Sequence, residues 1–585
     1  MHQPSHQMRH PPTNPRLIAV AQGDAPADLV LADARVVNVF TRQIERGDIA
    51  IADGRFAGVG AYPDAAERVD MGGAFIAPGL IDAHMHVEST MLTPRHFAPL
   101  ALAHGTTGVV LDPHEIANVL GVEGIRWLMD DAASTTMRMW FAVSSCVPAS
   151  PFEMAGAVLE ANDLAPLFED PRVVALAEMM NFPGVVHADP GVLAKVDLGL
   201  ERSRVDGHCP GLRGPGLRAY RAAGISSDHE CTTCEEAEEK VALGMRVYLR
   251  EGSAARNLEA LLPAVTPANA HRFCFCTDDR HPADLAEQGH IDHVVRRAVD
   301  LGMDPVLAIA IGSLHAAEHY ALPAFGAIAP GYHADLIVFD DLADIRPRAV
   351  FVGGKSTRVD AEAISAKPSP RHGKTIRVGH AITPEMFRIA GSGAATLRVI
   401  GMLPGQLLTE ARSADFIAVN GAFEADPDQD LLKLAVIERH TGSGGVGLGF
   451  VQGFEMTRGA IASTVGHDSH NLTVLGTNDT DMAIAAEAVA SAGGGQAVAA
   501  GGKLLAVLKL PVAGLMSDQP AEAVVAEQAA VLRAAASLGT PLEDPFMPLS
   551  FLPLTVIPSL KLGDKGLVDV NRFELVPLQI DTAAD

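Results

Sequence analysis

Between about residues 79 and 323 the sequence alternates short apolar segments with longer segments of helical pattern, and this limits the folds open to the chain. One helix is predicted to begin at Thr93-Pro94, because proline suits a first helical turn, and to end at Gly105. Eight strands are predicted: an opening strand within 77–89, then 106–111, 139–143, 173–178, 204–208, 225–229, 245–249 and 273–278. Eight strand–helix units over this length predict an α/β fold of the (β/α)8 TIM-like barrel class.

The predicted strands end, again and again, in side chains that can bind metals. His84 and His86 are two residues apart, so in a regular strand both imidazoles lie on one face, with Asp82 and Glu88 beside them. The other strand exits carry Asp112 and His114, Glu178, His208, residues 227–230 and residues 277–279. In such barrels the chemistry lies at the carboxyl ends of the strands. One or two polar exits would suit a solvated loop, but their repetition predicts a metal site.

The barrel region is predicted to interrupt a smaller β-domain. Residues 27–30 (ADLV) and 334–337 (ADLI) have similar sequences, one on each side of the barrel. We therefore predict a small β-sandwich built from residues 23–78 and 324–379, around a barrel at 79–323. Residues 1–22 are predicted to be a disordered tail, and 380–585 a separate C-terminal α/β domain with a helix at 428–439.

Composition excludes some partners. The chain has 585 residues, with 45 Lys and Arg against 71 Asp and Glu, a formal charge of −26. So acidic a surface repels phosphate backbones, which argues against a nucleic-acid partner. No apolar run approaches the roughly 20 residues of a membrane span, and the polar N-terminus predicts neither a signal peptide nor an anchor. Six cysteines are too few for a disulfide framework, so a cytoplasmic protein is expected, with a homo-oligomer as an open alternative to a monomer.

The order of the strand-exit residues resembles the amidohydrolase superfamily, and more narrowly its adenine deaminase family. The narrower likeness lies in residues 78–89, 104–107, 112–121, 177–181, 206–208, 227–230, 277–280, 467–471 and 561–567. It covers nearly the whole chain after the first twenty-odd residues. The resemblance implies an enzyme that deaminates adenine hydrolytically to hypoxanthine and ammonia, with adenine and water as its small-molecule partners. The attacking group would be a hydroxide held between two divalent metals.

The resemblance also implies a set of metal ligands. His84, His86, Glu178 and Asp278 would hold one metal, and Glu178, His208 and His229 the other. Many superfamily members bridge the metals with a carbamylated lysine on strand four. Between His86 and Lys240 the only lysine is Lys195, within a predicted helix, so Glu178 is the available bridge. Mn²⁺ or Fe²⁺ suits this imidazole–carboxylate set, with Zn²⁺ as the alternative.

Asp278 is the predicted catalytic residue, which accepts the proton of water and passes it to leaving ammonia. Glu88 is the candidate that protonates N1 of the purine, or else orients a ligand histidine. Further candidates for substrate contacts are Asp112, His114, Glu115, His467 and His470. For the last two, a buried turn is the alternative to a segment that closes over the barrel mouth.

Two other functions stay open from the sequence. One is a second kind of binuclear amidohydrolase, acting on a cyclic amide or amidine such as a pyrimidine ring; the missing strand-four lysine argues against it. The other is an inactive metal-binding barrel, and the complete ligand set argues against that.

Overall fold

A computed structural model of the chain describes residues 12–253, 255–357, 369–403 and 408–580. The first described elements are helix α1 (Pro15–Gln22) and strands β1 (Ala27–Asn38), β2 (Gln43–Ala52), β3 (Arg55–Gly60), β4 (Ala65–Asp70) and β5 (Phe75–Pro78). The Asn14 side chain caps α1 by accepting the Leu17 N–H, and Gly23 ends the helix with φ 82°. The prediction of a disordered tail is therefore wrong over 15–22, because Asn14 and Gly23 supply the start and stop signals of a helix. Residues 1–11 of that prediction lie outside the described residues.

Eight parallel strands follow, and the site lies at their carboxyl ends. They are β6 (Leu80–Met85), β7 (Thr106–Leu111), β8 (Arg138–Val143), β9 (Val173–Met179), β10 (Val205–Gly207), β11 (Ser227–Asp228), β12 (Arg246–Arg250) and β13 (Phe273–Cys276). Hydrogen bonds join β6 to β10 in one ladder and β11 to β13 in another, and a single bridge from Met85 to Asp278 connects β6 with the exit of β13. The predicted TIM-like α/β fold is confirmed, but the strands of the described chain do not form one closed ladder.

Helices surround these strands. They are α2 (Pro94–Ala103), α3 (His114–Ala132), α4 (Ala161–Leu164), α5 (Phe182–Val186), α6 (Pro190–Arg202), α7 (Gly214–Ala222), α8 (Cys234–Ala242), α9 (Leu258–Leu261), α10 (Pro282–Gln288), α11 (Ile291–Asp300), α12 (Pro305–Ile311) and α13 (Leu314–His319). Helix α2 begins at the predicted proline, and the Thr233 hydroxyl caps α8 by accepting the Glu236 N–H. Buried side chains such as Ile81, Trp140 and Tyr248 fill the interior, so the barrel is a packed core and not a channel.

The two flanks of the barrel combine in one sheet. Strands β14 (Leu336–Phe339), β15 (Ala349–Val352) and β16 (Lys355–Ser356) join the first five strands in the order β16-β15-β14-β5-β1-β2-β3, with β4 paired to β1. The antiparallel pair β5–β14 connects the two flanks. The alternating pattern predicts a small β-sandwich. The hydrogen bonds connect these strands into a single sheet, because the long strand β1 pairs with β2 along its length and with both β4 and β5 on its other edge. The packing of this sheet as a sandwich stays a prediction.

The C-terminal region contains a mixed sheet with helices. Its elements are β17 (Ile389–Ala390), β18 (Ala394–Met402), β19 (Thr409–Ile417), β20 (Ala422–Phe423), β21 (Leu432–Ile437), β22 (Val446–Gln452), β23 (Ala460–Ser463), β24 (Leu472–Gly476), α14 (Asp479–Ser491), β25 (Gly495–Ala500), β26 (Lys503–Lys509), α15 (Ala521–Ala536), α16 (Phe546–Phe551), β27 (Leu560–Gly563), β28 (Gly566–Asp569) and β29 (Glu574–Val576). The helix predicted at 428–439 is wrong, since β21 occupies that segment as a fully buried strand between β22 and β24.

The C-terminal region packs directly on the barrel mouth. The Ser517 amide donates to the Met91 carbonyl over 2.8 Å, and His281 Nδ1 lies 3.1 Å from an Asp544 carboxylate oxygen. The Met154 amide donates to Asp564 over 2.9 Å. These contacts fix the C-terminal loops over the strand exits. Among the described helices, none combines the length and the apolar character that crossing a bilayer would need.

Candidate active site

The exit of β6 holds two imidazoles in fixed orientations. The His84 amide donates to Asp82 Oδ1 over 3.1 Å, and Asp82 also accepts the Thr277 hydroxyl over 2.6 Å. His86 Nδ1 lies 3.0 Å from the Asp112 carbonyl oxygen, a partner that can only accept. That bond keeps the proton on Nδ1 and leaves the Nε2 lone pair of His86 free to face the site.

Glu178, at the end of β9, is the centre of the site. Its Oε1 lies 3.3 Å from His86 Nε2 and 3.6 Å from His84 Nε2. Its Oε2 lies 2.7 Å from His208 Nδ1 and 3.2 Å from His229 Nε2. Each oxygen of one buried carboxylate thus faces its own pair of imidazoles, which is the arrangement expected of a ligand shared by two metals.

Asp278 completes the side of the site nearest β6. Its Oδ1 lies 3.1 Å from His86 Nε2 and 3.4 Å from His84 Nε2, and its Oδ2 accepts from Arg250 Nη1 over 2.6 Å. Burial works against ionisation of this carboxyl, but Arg250 outweighs it and holds the pKa of Asp278 well below its usual value. Asp278 is therefore a carboxylate at neutral pH.

The donors fit divalent cations. His84 Nε2 is buried and has no hydrogen-bond partner among the described residues, although carboxylate oxygens of Glu178 and Asp278 lie within 3.6 Å. Burial alone would lower the pKa of His229, yet the Glu178 carboxylate raises it to about 9. The buried Glu178 and Asp278 carboxylates therefore favour a bound cation. The mixed N and O donors of the site suit Mn²⁺, Fe²⁺ or Zn²⁺. Ligand atoms of His84, His229 and Asp278, and of Glu178, His208 and His229, lie within 4.8 Å of one another.

The buried ion pair of Lys240 and Asp228 fixes the backbone next to two candidate ligands, His208 and His229. Lys240 Nζ donates to Asp228 Oδ2 over 3.0 Å, and Asp228 Oδ1 accepts the Cys209 amide over 2.8 Å. Asp228 is adjacent to the candidate ligand His229, and Cys209 is adjacent to the candidate ligand His208. The pair thus fixes the backbone that carries both imidazoles.

Glu230 and Arg250 were missed by sequence reasoning. Arg250 forms a close ion pair with Glu230, and Glu230 Oε1 lies 3.4 Å from His229 Nε2. Both acidic partners of Arg250, Glu230 and Asp278, line the same pocket. The position of Glu230 directly after His229 at a strand exit was the available signal; no sequence pattern pairs it with Arg250 on β12.

The predicted pair Asp112 and His114 lies beside the centre. His114 Nδ1 is 3.0 Å from Asp112 Oδ2 and 3.6 Å from Glu178 Oε1. His114 lines the pocket, whereas Asp112 lies behind it and also accepts the Ser144 hydroxyl over 3.2 Å. Asp112 therefore orients His114.

The structure places Glu88 away from the other predicted catalytic residue. Its Oε1 accepts the Ile116 amide over 3.1 Å in the first turn of α3. Among the described residues Glu88 does not line the pocket of the ligands but a neighbouring cavity with Ser89 and Asp279. Burial and the nearby Glu115 raise its pKa to about 8. Glu88 holds α3 in place at this site.

The C-terminal region contributes part of the pocket wall. His467 and Asp468 line the pocket together with Phe551, Leu554 and Ile557. His467 Nδ1 lies 3.0 Å from Glu115 Oε1, and the His467 ring stacks on Phe551 with centroids 4.5 Å apart. Of the other predicted substrate contacts, Glu115 lines the pocket, while His470 is buried behind it as far as the described chain shows.

Comparisons with known proteins show which families this chain resembles. Residues 75–361 match the model of the amidohydrolase family, and residues 406–574 match the adenine deaminase C-terminal domain. The chain is 50% identical to an adenine deaminase of Desulfatibacillum aliphaticivorans, over 96% of this chain and 99% of that protein. It is 47% identical to an adenine deaminase of Nitratidesulfovibrio vulgaris (strain DP4), over 96% and 98%. Among solved structures, an L-hydantoinase (dihydropyrimidinase) from Arthrobacter aurescens aligns with a TM-score of 0.44 and 13% identity, over 58% of this chain and 98% of that chain.

Proposed function

The chain belongs to the adenine deaminase family of amidohydrolases, and from this premise we propose that it hydrolyses adenine to hypoxanthine and ammonia at the pocket around Glu178. The observation that carries the proposal is the Glu178 carboxylate, each of whose oxygens faces two buried imidazoles. The eight strands β6–β13 act as a (β/α)8 barrel that brings these side chains to one end.

Two divalent cations fit the donor set. His84, His86, Glu178 and Asp278 would hold one of them, and Glu178, His208 and His229 the other. We propose Mn²⁺ or Fe²⁺, with Zn²⁺ as the alternative, since all three accept imidazole and carboxylate ligands. When bound, such cations supply a water that is deprotonated near neutral pH and can attack an electron-poor carbon.

The protein's own groups move the protons and hold the base. Asp278 accepts the proton of the attacking water and passes it to the amine that leaves C6 of adenine. Arg250 donates to Asp278 Oδ2 over 2.6 Å, so Oδ1 is the oxygen directed toward the histidines and the reacting atoms.

Apolar side chains from the C-terminal region would cover the faces of the purine. Phe551, Leu554 and Ile557 line the same pocket as the charged ligands, and His467, which stacks on Phe551, is held by Glu115. Their position keeps water from the reacting groups, which strengthens the electrostatic interactions inside. The C-terminal region thus has a role in binding that the barrel alone does not provide.

The two alternative functions have less support. A cyclic-amide hydrolase of the lysine-bridged kind needs a lysine at the end of the fourth strand, and β9 ends in Glu178 and Met179. An inactive barrel is disfavoured because the proposed ligands converge, and all of them except the partly exposed His208 are buried.

The proposal predicts ammonia release from adenine. Purified protein loaded with Mn²⁺ should convert adenine to hypoxanthine and one ammonia per base, measured by absorbance and by ammonia assay. Chelation should abolish the reaction, and Mn²⁺ should restore it. Ring opening of dihydropyrimidines without ammonia release from adenine, or metal binding without turnover, would favour one of the alternatives.

A further inference from the structure

Asp468 is a buried carboxylate with an unfilled hydrogen-bonding site in the substrate pocket. It belongs to the loop between β23 and β24, is 3% exposed and lines the pocket with Glu178 and Asp278. Its Oδ1 lies 3.8 Å from His114 Nε2 and 3.9 Å from His467 Nδ1, beyond hydrogen-bonding distance. Its Oδ2 has no hydrogen-bond partner in the part of the chain that the structure describes. A buried acceptor without a donor costs folding free energy, so a bound ligand that donates a hydrogen bond to Asp468 Oδ2 would be stabilised.

The other unpartnered carboxylate oxygen in the pocket is Glu115 Oε2, and it has a different explanation. Ligand atoms of Glu115, His467 and His470 lie within 4.8 Å of one another, as a third metal site would require. However, the Gly466 amide donates to His470 Nδ1 over 3.3 Å, which places the ring proton on Nε2. His470 Nε2 is thus a donor near Glu115 and not a metal ligand. The imidazole nitrogens nearest Asp468, His114 Nε2 and His467 Nδ1, lie 3.8 and 3.9 Å from its Oδ1, and no hydrogen bond of the described residues reaches its Oδ2.

The location of Asp468 relative to the metal ligands determines which atom of a bound purine would contact it. His114 lies between Asp468 and the metal ligands, with Nδ1 3.6 Å from Glu178 Oε1 and Nε2 on the side of Asp468. Reaction at C6 places C6 and its amine next to Glu178 and Asp278. The remaining N–H donor of 9H-adenine is N9–H on the imidazole ring, on the side of the base away from C6.

We propose that Asp468 accepts the imidazole-ring N–H of the purine and thereby makes the C-terminal region select free bases over N9-substituted purines. The inference rests on the proposed function for the identity of the substrate. It predicts that a purine with a ribose at N9 binds poorly, because substitution removes the donor and leaves the buried carboxylate unpaired.

The test is a double-mutant cycle in which the Asp468 carboxylate is altered in the protein and the N9–H group is methylated in the ligand. Hypoxanthine and 9-methylhypoxanthine, neither of which is consumed, are titrated by calorimetry into Mn²⁺-loaded enzyme, and kcat/KM is measured for adenine and 9-methyladenine. In the unaltered enzyme the N–H ligands should be favoured strongly. Asp468→Ala should weaken hypoxanthine binding and adenine kcat/KM by about 10- to 100-fold, the range for a hydrogen bond to a charged group. The 9-methyl ligands should lose far less, and Asp468→Asn, which keeps an acceptor, should lie between.

Asp564→Asn is the matched control. Asp564 accepts the Met154 amide over 2.9 Å and approaches Asn471 in the same loop, and in the described structure it does not line the pocket. Its replacement should affect both ligands of each pair equally. An Asp468→Ala effect that is equal for N–H and 9-methyl ligands, with metal content retained, overturns the inference. Hypoxanthine binding that depends on Asp468 without ammonia release from adenine would instead refute the proposed function and leave the binding role intact.

Discussion

Glu178→Gln should lose both metals and nearly all activity. The glutamine side chain keeps one neutral oxygen but places an NH2 group where the second anionic oxygen faces two imidazoles. Deamination should fall by at least about 10³-fold, since metal stabilisation of a transition state is worth several kcal/mol. Elemental analysis after gel filtration and an adenine assay measure the two effects.

Glu230→Gln is the matched control for Glu178→Gln. Glu230 is also a buried glutamate that faces His229, at 3.4 Å, but its charge is paired with Arg250. This variant should keep both metals. Equal metal content in Glu178→Gln and in the unaltered enzyme would contradict the bridging role.

Asp278→Asn should reduce kcat by about 10²- to 10⁴-fold, the usual contribution of general acid–base catalysis. The substitution preserves size and leaves Oδ1 near His86, but it removes the group that accepts the proton. Saturating Mn²⁺ in the assay separates proton transfer from weakened metal binding. Asp279→Asn provides the comparison, because Asp279 is the adjacent pocket carboxylate and its Oδ1 accepts the Ser89 hydroxyl over 2.5 Å. Near-normal turnover of metal-loaded Asp278→Asn would show that another group carries the proton.

The strand–helix repeats of the barrel could be predicted from the sequence because the same alternation of strand and helix patterns occurs eight times. Each proposed ligand lies in or directly after a predicted strand, and apolar runs precede the ligands of β6, β9 and β13, whereas the short strands β10 and β11 are partly polar. The strand β21 was not readable in the same way. Its apolar run is buried on both faces, so it lacks the alternation that distinguishes a strand from a buried helix, and its neighbours β22 and β24 decide the outcome.

The site was predictable only as far as strand geometry extends. Glu88 was assigned to the same face as His84 and His86 by alternation, but β6 ends at Met85 and a 3₁₀ turn follows at Val87–Thr90. The turn redirects Glu88 toward α3. His467 was a reasonable candidate as part of a polar cluster, yet its pairing with Glu115 depends on how two distant regions dock. Phe551 and Ile557 carry no chemical signal, so the apolar wall appears only in the folded chain.

The proposed function requires two metals, shared through Glu178, for deamination. Metal-free enzyme is therefore titrated with Mn²⁺ while adenine turnover and bound metal are followed together. Activity should rise until two metals are bound per chain, and Glu178→Gln should show no such rise. Full activity at one bound metal per chain would contradict this requirement.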